Sequence, residues 1–361
     1  MSDDRWPSLQ YDAANTGGVK RTGPSDNPSI DWTSDAYFEV IGSPAIAENR
    51  VLAGSLDGTV YGFKRDTGES DWETSVDGPV WTSPALHDDV VLVGTRTGRV
   101  YALELASGAQ RWRVMTGGPI ESSPTIADGV AYVGTNNHRV LALDAIRGVE
   151  QWTYETDSSV CGAPAVADGT VFGCSWYGTL FALNAATGEE RWTRDLGTVT
   201  PAAPTVANGR VVIGHAGGQL HAINVDDGTE DWSIDIGKSI ISSVATYDRT
   251  LYVSTGNMEL DATPVNGPGA VVAVDMDDGS ELWRTGTSDG QVDPRPWSAP
   301  IVLGHTVYVG SGNDVTYALD ATDGTVQWRV EELPVFPWSA PAAAGGFLYV
   351  NNQYSGTVAI R

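Results

Sequence analysis

The fold is decided by a short stretch at residues 66–72, which reads Asp66-Thr67-Gly68-Glu69-Ser70-Asp71-Trp72. A Thr-Gly turn leads here into a segment that carries a tryptophan four residues after the glycine. The same spacing recurs along the chain, with the glycines at Gly68, Gly108, Gly148, Gly188, Gly228, Gly279 and Gly324. The turn and the tryptophan segment therefore belong to an internal repeat.

The tryptophans of this repeat give its period. The first six are spaced by 40 residues and two more follow at intervals of 51 and 45: Trp32, Trp72, Trp112, Trp152, Trp192, Trp232, Trp283 and Trp328. A second series agrees, because a Ser-Pro or Ala-Pro pair opens every unit except the sixth, where Val244 replaces the proline. Its prolines are Pro44, Pro84, Pro124, Pro164, Pro204, Pro300 and Pro341. Both series predict eight units.

Each unit has the pattern of four short β-strands. A short run follows the proline, a turn such as Asp128-Gly129 comes next, and alternating apolar segments such as residues 91–94 and 140–144 follow. The tryptophan segment is the fourth strand. Four short strands in each repeat of this length are typical of a β-propeller blade. The predicted fold is all-β, an eight-bladed propeller of four-stranded antiparallel blades.

The two ends of the chain are predicted to share one blade. The last unit stops after its third strand, at residues 357–361, whereas residues 29–32 form a tryptophan strand with no blade before it. We therefore expect the Trp32 strand to complete the C-terminal blade and close the ring, which leaves no free sheet edge.

This closure sets the expected domain boundaries. Residues 1–28 are predicted to be an N-terminal extension packed on the propeller, and residues 29–361 to be the propeller itself. The interval between Val244 and Pro300 is 16 residues longer than one period, which predicts an insertion at about 256–270 in blade six.

Composition limits the function. The 361 residues include 46 Asp plus Glu against 21 Lys plus Arg, which gives a formal charge of −25, while 41% apolar residues suffice for a core. A field this negative repels phosphate backbones and excludes nucleic acid as a partner. No apolar run approaches the roughly 18 residues of a membrane span, and residues 1–5 lack the form of a signal peptide. We expect a cytoplasmic protein as written, or alternatively an exported or cell-surface protein whose signal has been removed.

The repeated runs Val-Tyr-Val-Gly-Thr, Tyr-Ala-Leu-Asp, Thr-Gly and Trp resemble the PQQ-like β-propeller repeat, which quinoprotein dehydrogenases share with the BamB outer-membrane assembly lipoprotein. Residues 6–17 resemble the N-terminal segment common in haloarchaeal members of that family. The 31 Asp, 15 Glu and only three lysines beside 18 arginines also resemble a haloarchaeal composition. The resemblance implies the fold, but the repeat residues are structural and do not fix the chemistry.

A site is expected where the units differ, at the mouth of the central channel. The residue three positions before each unit's proline, or before Val244, is Ile41, Trp81, Glu121, Cys161, Pro201, Ile241, Trp297 and Trp338 in blades one to eight. We call this set the mouth column. Trp297, Trp338, Ile41 and Trp81 come from four successive blades around the ring, and their three tryptophans predict an aromatic surface for a planar cofactor, a sugar or a partner's apolar side chain. Plugging of the wide axis is the alternative. Glu121 and the loop residue Trp176 complete the predicted ligand-binding set.

The resemblance also implies an enzymatic alternative. Asn257 follows Thr-Gly in the insertion and matches the segment in which quinoprotein alcohol dehydrogenases place an asparagine ligand of the calcium that holds PQQ. Asp289 and Asp293 lie in the region comparable with that of their catalytic aspartate, the base that takes the alcohol proton while the quinone accepts hydride. Those enzymes are much longer and carry two adjacent cysteines, whereas Cys161 and Cys174 are 13 residues apart.

Cysteine and histidine give weaker predictions. Cys161 and Cys174 are expected on the first two strands of blade four, either as buried thiols or, if the register allows, as a cross-strand disulfide. Each histidine is expected to be a lone surface or loop residue because none shows metal-ligand spacing: His87, His138, His215, His221 and His305.

Together these patterns predict a non-enzymatic binding or scaffold protein that recognises a protein or a small planar or sugar ligand through its loop face and channel mouth. One alternative is a PQQ- and calcium-dependent quinoprotein dehydrogenase acting on alcohols or sugars. The other is an exported, BamB-like assembly factor.

Overall fold

Eight β-sheets, each with the four antiparallel strands of one blade, form the ring and confirm the predicted propeller; β1 (Gly18–Val19) adds a fifth, parallel strand to one of them. The computed structural model describes residues 5–24, 27–34, 39–237, 239–256, 269–286, 298–311, 315–331, 339–352 and 356–361. Within these ranges there is no helix, and so none that could cross a membrane.

The first four blades follow the order of the sequence. Blade one contains β3 (Ala45–Ile46), β4 (Arg50–Gly54), β5 (Thr59–Lys64) and β6 (Ser70–Ser75). Blade two contains β7 (Ala85–His87), β8 (Val90–Gly94), β9 (Arg99–Glu104) and β10 (Gln110–Met115). Blade three contains β11 (Thr125–Ala127), β12 (Val130–Thr135), β13 (Arg139–Asp144) and β14 (Glu150–Glu155). Blade four contains β15 (Ala165–Ala167), β16 (Thr170–Cys174), β17 (Thr179–Asn184) and β18 (Glu190–Asp195).

The remaining blades include two strands from the start of the chain. Blade five contains β19 (Thr205–Ala207), β20 (Arg210–Gly214), β21 (Gln219–Asn224) and β22 (Glu230–Asp235). Blade six contains β23 (Ala245–Tyr247), β24 (Thr250–Thr255), β25 (Ala270–Asp275) and β26 (Glu281–Gly286). Blade seven contains β1 (Gly18–Val19), β27 (Ile301–Leu303), β28 (Thr306–Ser311), β29 (Val315–Asp320) and β30 (Val326–Val330). Blade eight contains β31 (Ala342–Ala344), β32 (Phe347–Asn352), β33 (Gly356–Ile360) and β2 (Ile30–Thr33).

Strand β2 closes the ring as predicted. It pairs antiparallel with β33, with Trp32 opposite Ala359 and Thr33 opposite Val358. The main chains of Ser29 and Arg361 also exchange hydrogen bonds of 3.1 and 3.0 Å. The start and the end of the propeller are therefore joined by backbone pairing inside one blade.

The repeat tryptophans pack between blades. Trp72 lies on the fourth strand of blade one, and its indole nitrogen donates to the carbonyl of Leu105 in blade two at 3.1 Å. The ring of Trp72 covers Gly108 of blade two. The same donation occurs from Trp32 to Arg65, Trp152 to Ala185, Trp192 to Val225, Trp232 to Met276 and Trp283 to Ala321. Each of these tryptophans thus ties its own fourth strand to the strand three–four turn of the following blade.

The N-terminal segment, residues 5–19, runs inside the ring along the innermost strands. Its main chain hydrogen-bonds to the second residue of the first strand in blades one, two, four, five, six and seven: Ile46, Leu86, Val166, Val206, Thr246 and Val302. These strand residues come five positions after the mouth column, so the segment crosses the channel well below the mouth. Trp6 and Gln10 are fully buried there. We call this segment the channel floor.

Candidate functional site

The described members of the mouth column line one axial cavity of about 430 Å³. They are Ile41, Trp81, Glu121, Cys161, Pro201 and Ile241, one from each of blades one to six. A cavity that touches this many blades lies on the axis of the ring. Trp297 and Trp338, the other two aromatic members of the predicted surface, lie outside the described residues.

Below the column the cavity wall is made of small residues, and Leu9 of the channel floor contributes to its lining. Serine hydroxyls tie these wall positions together from blade to blade. The amide of Ser43 donates to the Ser83 hydroxyl at 2.8 Å, and the amide of Ser83 donates to the Ser123 hydroxyl at 2.9 Å. The wall is therefore held by the fold, and the cavity does not depend on a bound ligand for its shape.

A stacked charge pair lies at the rim of the cavity. The guanidinium carbon of Arg96 is 4.3 Å from the ring centroid of Trp81, and its Nη2 is 2.9 Å from Oε1 of Glu121. The side chains of Arg96 and Glu121 are 44% and 21% exposed, so solvent reaches the pair from outside. This arrangement combines a cation–π contact with an ion pair.

Arg96 was not among the predicted site residues. It comes from the turn between β8 and β9, where its amide donates to the carbonyl of Pro79 at 2.9 Å. It holds the same repeat position as Trp176, which was predicted, because the two are 80 residues apart, or two periods. The repeat register was therefore the signal that could have found it.

Trp176 lines the same cavity from blade four, as a half-buried side chain. Its amide donates to the carbonyl of Ser159 at 2.6 Å, and its carbonyl accepts from the amide of Thr200 at 3.0 Å. These bonds fix the loop backbone from which the indole of Trp176 extends. Trp81, Glu121 and Trp176 thus line one cavity, and the neighbouring Tyr177 remains 66% exposed.

The two cysteines are free thiols. The prediction that Cys161 lies on a strand is wrong: β15 begins only at Ala165, because Pro164 has no amide hydrogen with which to extend the pairing. Burial, with a smaller effect from the Glu121 carboxylate, raises the pKa of Cys161 to about 12. Burial also raises the pKa of Cys174. Both therefore remain protonated at neutral pH and are poor nucleophiles.

The prediction of lone surface or loop histidines is wrong for His221, which lies buried on β21, and it holds for His215 only in that this residue lies in the loop between β20 and β21. His215 and His221 are both buried, with ring centroids 5.1 Å apart, because the hairpin of β20 and β21 brings positions six residues apart to one end of the blade. Nδ1 of His221 is 3.2 Å from Oε2 of Glu230. Burial is the main cause that lowers the pKa of each histidine.

Metal ligation finds no support within the described ranges, where no group of three or more His, Cys, Asp or Glu side chains is placed to hold an ion. The predicted calcium ligand Asn257 and the predicted catalytic residues Asp289 and Asp293 lie outside those ranges. They remain sequence predictions.

The ring, its closure and the cavity on its axis define an eight-bladed β-propeller whose loops surround one central pocket. Its repeats are of the PQQ-like type. The chain belongs to the family described as outer membrane protein assembly factor BamB, whose profile matches residues 57–163, 158–263 and 239–361.

Solved structures with similar folds include both classes of protein that the repeat suggested. BamB from Moraxella catarrhalis is 22% identical, with a TM-score of 0.75, over 92% of this chain and 97% of that one. Quinohemoprotein alcohol dehydrogenase from Comamonas testosteroni is 14% identical, with a TM-score of 0.80, over 99% and 80%. The computationally designed Ika8 protein is 15% identical, with a TM-score of 0.78, over 91% and 98%. At these identities the likeness shows the fold alone. No curated protein matches the chain.

Proposed function

We propose that this chain is a non-enzymatic binding or scaffold protein of a halophilic organism and that the mouth of its axial cavity is the recognition site. The observation that carries the proposal is the cavity itself, walled by the blades, lined by Leu9 below and edged by Trp81, Arg96, Glu121 and Trp176. Concave, mostly apolar sites with a few placed polar groups are where proteins take ligands or anchor side chains of partners.

The family description supports a protein partner over a free small molecule. BamB is named as an assembly factor, and an exported, BamB-like role is the form of the proposal that follows from that name. In that form the chain acts outside the cytoplasm, and its mouth binds a segment of another protein.

A PQQ- and calcium-dependent dehydrogenase is the second candidate, and it is supported by the fold neighbours that are alcohol and methanol dehydrogenases. The described residues do not fit that cofactor. Glu121 is the one carboxylate among the described lining residues, and a single carboxylate falls short of the six to eight oxygen ligands that Ca²⁺ takes. The free thiols of Cys161 and Cys174 offer no disulfide for stacking.

The test compares the affinity of the wild-type chain with that of a Trp81→Ala/Trp176→Ala double variant. Proteins retained from an extract of the source cells are identified and purified, and their Kd values are measured by calorimetry at high salt. We expect at least about tenfold weaker binding for the double variant, because central aromatic residues dominate interface energies. Tyr177→Ala is the matched control, since this exposed aromatic lies beside Trp176 and outside the cavity lining.

Equal Kd values for the wild type and the double variant would remove the mouth as the site. The enzymatic candidate is tested separately by titrating PQQ with Ca²⁺ to about 100 µM, a concentration above ordinary cofactor Kd values. Saturable binding that Trp81→Ala abolishes would replace the proposal with the dehydrogenase, whereas no binding removes that candidate.

A further inference from the structure

The rim already holds a cation in the way that a receptor would. The Arg96 guanidinium lies over the Trp81 ring at 4.3 Å and pairs with the Glu121 carboxylate at 2.9 Å. An aromatic face next to a carboxylate is the arrangement that proteins use to bind guanidinium and ammonium groups. Here the bound cation belongs to the same chain.

Arg96 is a weakly held occupant. Its side chain is 44% exposed and comes from a turn, so it can rotate into water without disturbing a strand. Ion pairs this exposed contribute little net stability, because the released charges are well solvated. A second cation would therefore meet only a small penalty when it displaces Arg96.

The surroundings favour a basic ligand. Arg96 and Glu121 are the charged groups among the described residues that line the cavity, so Glu121 is left unpaired once Arg96 leaves. More carboxylates lie where the fourth strands lead to the next blade, among them Asp157 after β14 and Asp195 at the end of β18, and the chain as a whole has a formal charge of −25. Such a field attracts cations and repels anionic ligands.

The part of the cavity below the rim is apolar and suits an apolar side chain of the ligand. Leu9 of the channel floor and small residues such as Ala163 and Ala203 line this part, and the whole cavity of about 430 Å³ exceeds the volume of one aliphatic side chain. A single bound segment can therefore place a cation at the rim and an apolar side chain beneath it.

We propose that the mouth recognises a basic peptide segment of a partner protein through one arginine or lysine side chain next to an apolar residue, and that Arg96 fills the cation position in the free protein. This inference rests on the proposed function and names the chemistry of the partner. Binding requires Arg96 to swing out while Trp81 and Glu121 receive the incoming group.

The test uses capped peptides of the form Gly-Leu-X-Gly, with X as arginine, citrulline or glutamate. Citrulline keeps the shape of arginine without its charge. Kd values are measured by ligand-observed NMR, at the lowest salt at which the chain remains folded, for the wild type, Arg96→Ala and Arg96→Ala/Glu121→Gln. Arg99→Ala is the matched control, because Arg99 pairs with Asp77 close to the same face and does not line the cavity.

We expect Arg96→Ala to bind the arginine peptide about fivefold more tightly than the wild type, a change of about 1 kcal/mol. Adding Glu121→Gln should remove that gain, and the citrulline peptide should show none. Arg99→Ala changes the net charge equally and should leave the Kd of the arginine peptide within about twofold of the wild-type value, since that pair is not part of the site.

Two results would overturn the inference. One is an Arg96→Ala variant whose affinity for the arginine peptide is unchanged or lower. The other is tighter binding of the glutamate peptide by the wild type that Arg96→Ala abolishes, which would make Arg96 an anion receptor. The Trp81→Ala/Trp176→Ala comparison separates the two levels of failure. If the double variant still binds the partner more weakly than the wild type, only the inference of a basic ligand is overturned. If the two bind equally, the mouth is not the recognition site.

Discussion

At the residue scale, the glycine of the repeat has two functions. Gly108 makes a turn with a φ of +71°, which L-residues rarely adopt, and it also receives the ring of Trp72 from the preceding blade. A Cβ at Gly108 would lie 2.4 Å from Cε3 of that ring. The repeat glycine is therefore required mainly because the tryptophan of the preceding blade packs against it.

We expect Gly108→Ala to lower the free energy of unfolding by about 3 kcal/mol, from backbone strain and from overpacking against Trp72. Gly209→Ala is the matched control, because Gly209 has a φ of +74° with nothing within 4 Å of the added carbon. Its cost should be about 1 kcal/mol from backbone strain alone. Chemical denaturation measures both, and equal losses would show that the tryptophan contact is unimportant.

The buried histidine pair predicts how stability depends on pH. Burial lowers the pKa values of His215 and His221 below the ordinary 6.5, so the unfolded chain takes up protons first as the pH falls. Their contribution to stability is complete above pH 6.5 and is lost below it, at up to about 1.4 kcal/mol per pH unit for each group.

The free energy of unfolding, measured from pH 8 to pH 5, should therefore fall less steeply below about pH 6.5 for His215→Gln than for the wild type. His305→Gln replaces an exposed histidine and serves as the control. Parallel curves for the wild type and His215→Gln would contradict this assignment.

At the scale of elements, the channel floor links blades that are far apart in sequence. Asn15 is buried, and its Nδ2 donates to the carbonyls of Ala163, Pro164 and Pro204 at 3.3, 3.3 and 3.1 Å. One side chain thus connects the entry loops of blades four and five. Its φ of +57° is tolerated by asparagine and aspartate alike.

Asn15→Asp keeps the shape of the side chain and replaces the donor with a carboxylate that faces three carbonyl oxygens. We expect a loss of about 3 kcal/mol or more in the free energy of unfolding, as for an unpaired buried charge. Asn208→Asp makes the same change at an exposed turn with a φ of +50° and should cost less than about 0.5 kcal/mol. Similar losses at both sites would mean that the floor is not held by Asn15.

Sequence patterns predicted most of the elements because each blade is local. The tryptophan and proline series gave the blade number and the closure by Trp32, since both follow from counting repeats. Contacts between blades could not be predicted in the same way, because the order of residues in the sequence does not give the direction of their side chains. The packing of Trp72 on Gly108 and the ion pair of Arg96 with Glu121 are two such contacts. The extension boundary at residue 28 and the insertion at about 256–270 remain predictions.

For the whole molecule, charge is the dominant property. The 46 acidic residues exceed the 21 Lys plus Arg by 25, so there are too few basic side chains to pair with every carboxylate. Adjacent acidic residues such as Asp226 and Asp227 lie exposed in turns between strands. At about 1 M salt the Debye length is near 3 Å, and neighbouring carboxylates are screened from each other. In dilute buffer their repulsion acts on the folded ring.

We expect the melting temperature to fall when KCl is reduced from about 2 M to about 50 mM, because screening is lost. A sample at low KCl with sucrose at matched osmolality is the control, since sucrose favours compact states without screening charge. An unchanged melting temperature at low KCl, or full recovery in sucrose, would show that carboxylate repulsion does not limit stability.

The channel floor and strand β2 also set the order in which the chain can finish folding. Residues 5–19 and 29–33 are synthesised before the rest of the ring, yet some of their partners lie in blades seven and eight, among them Val302 and Ala359. Until blade eight is synthesised, Trp32 lacks its strand partner Ala359 and its ring neighbour Tyr349. Contacts this distant in sequence slow folding and leave apolar surface open to aggregation. In a ring of this design, the strand that closes the ring, β2, is synthesised long before β33, the strand with which it pairs.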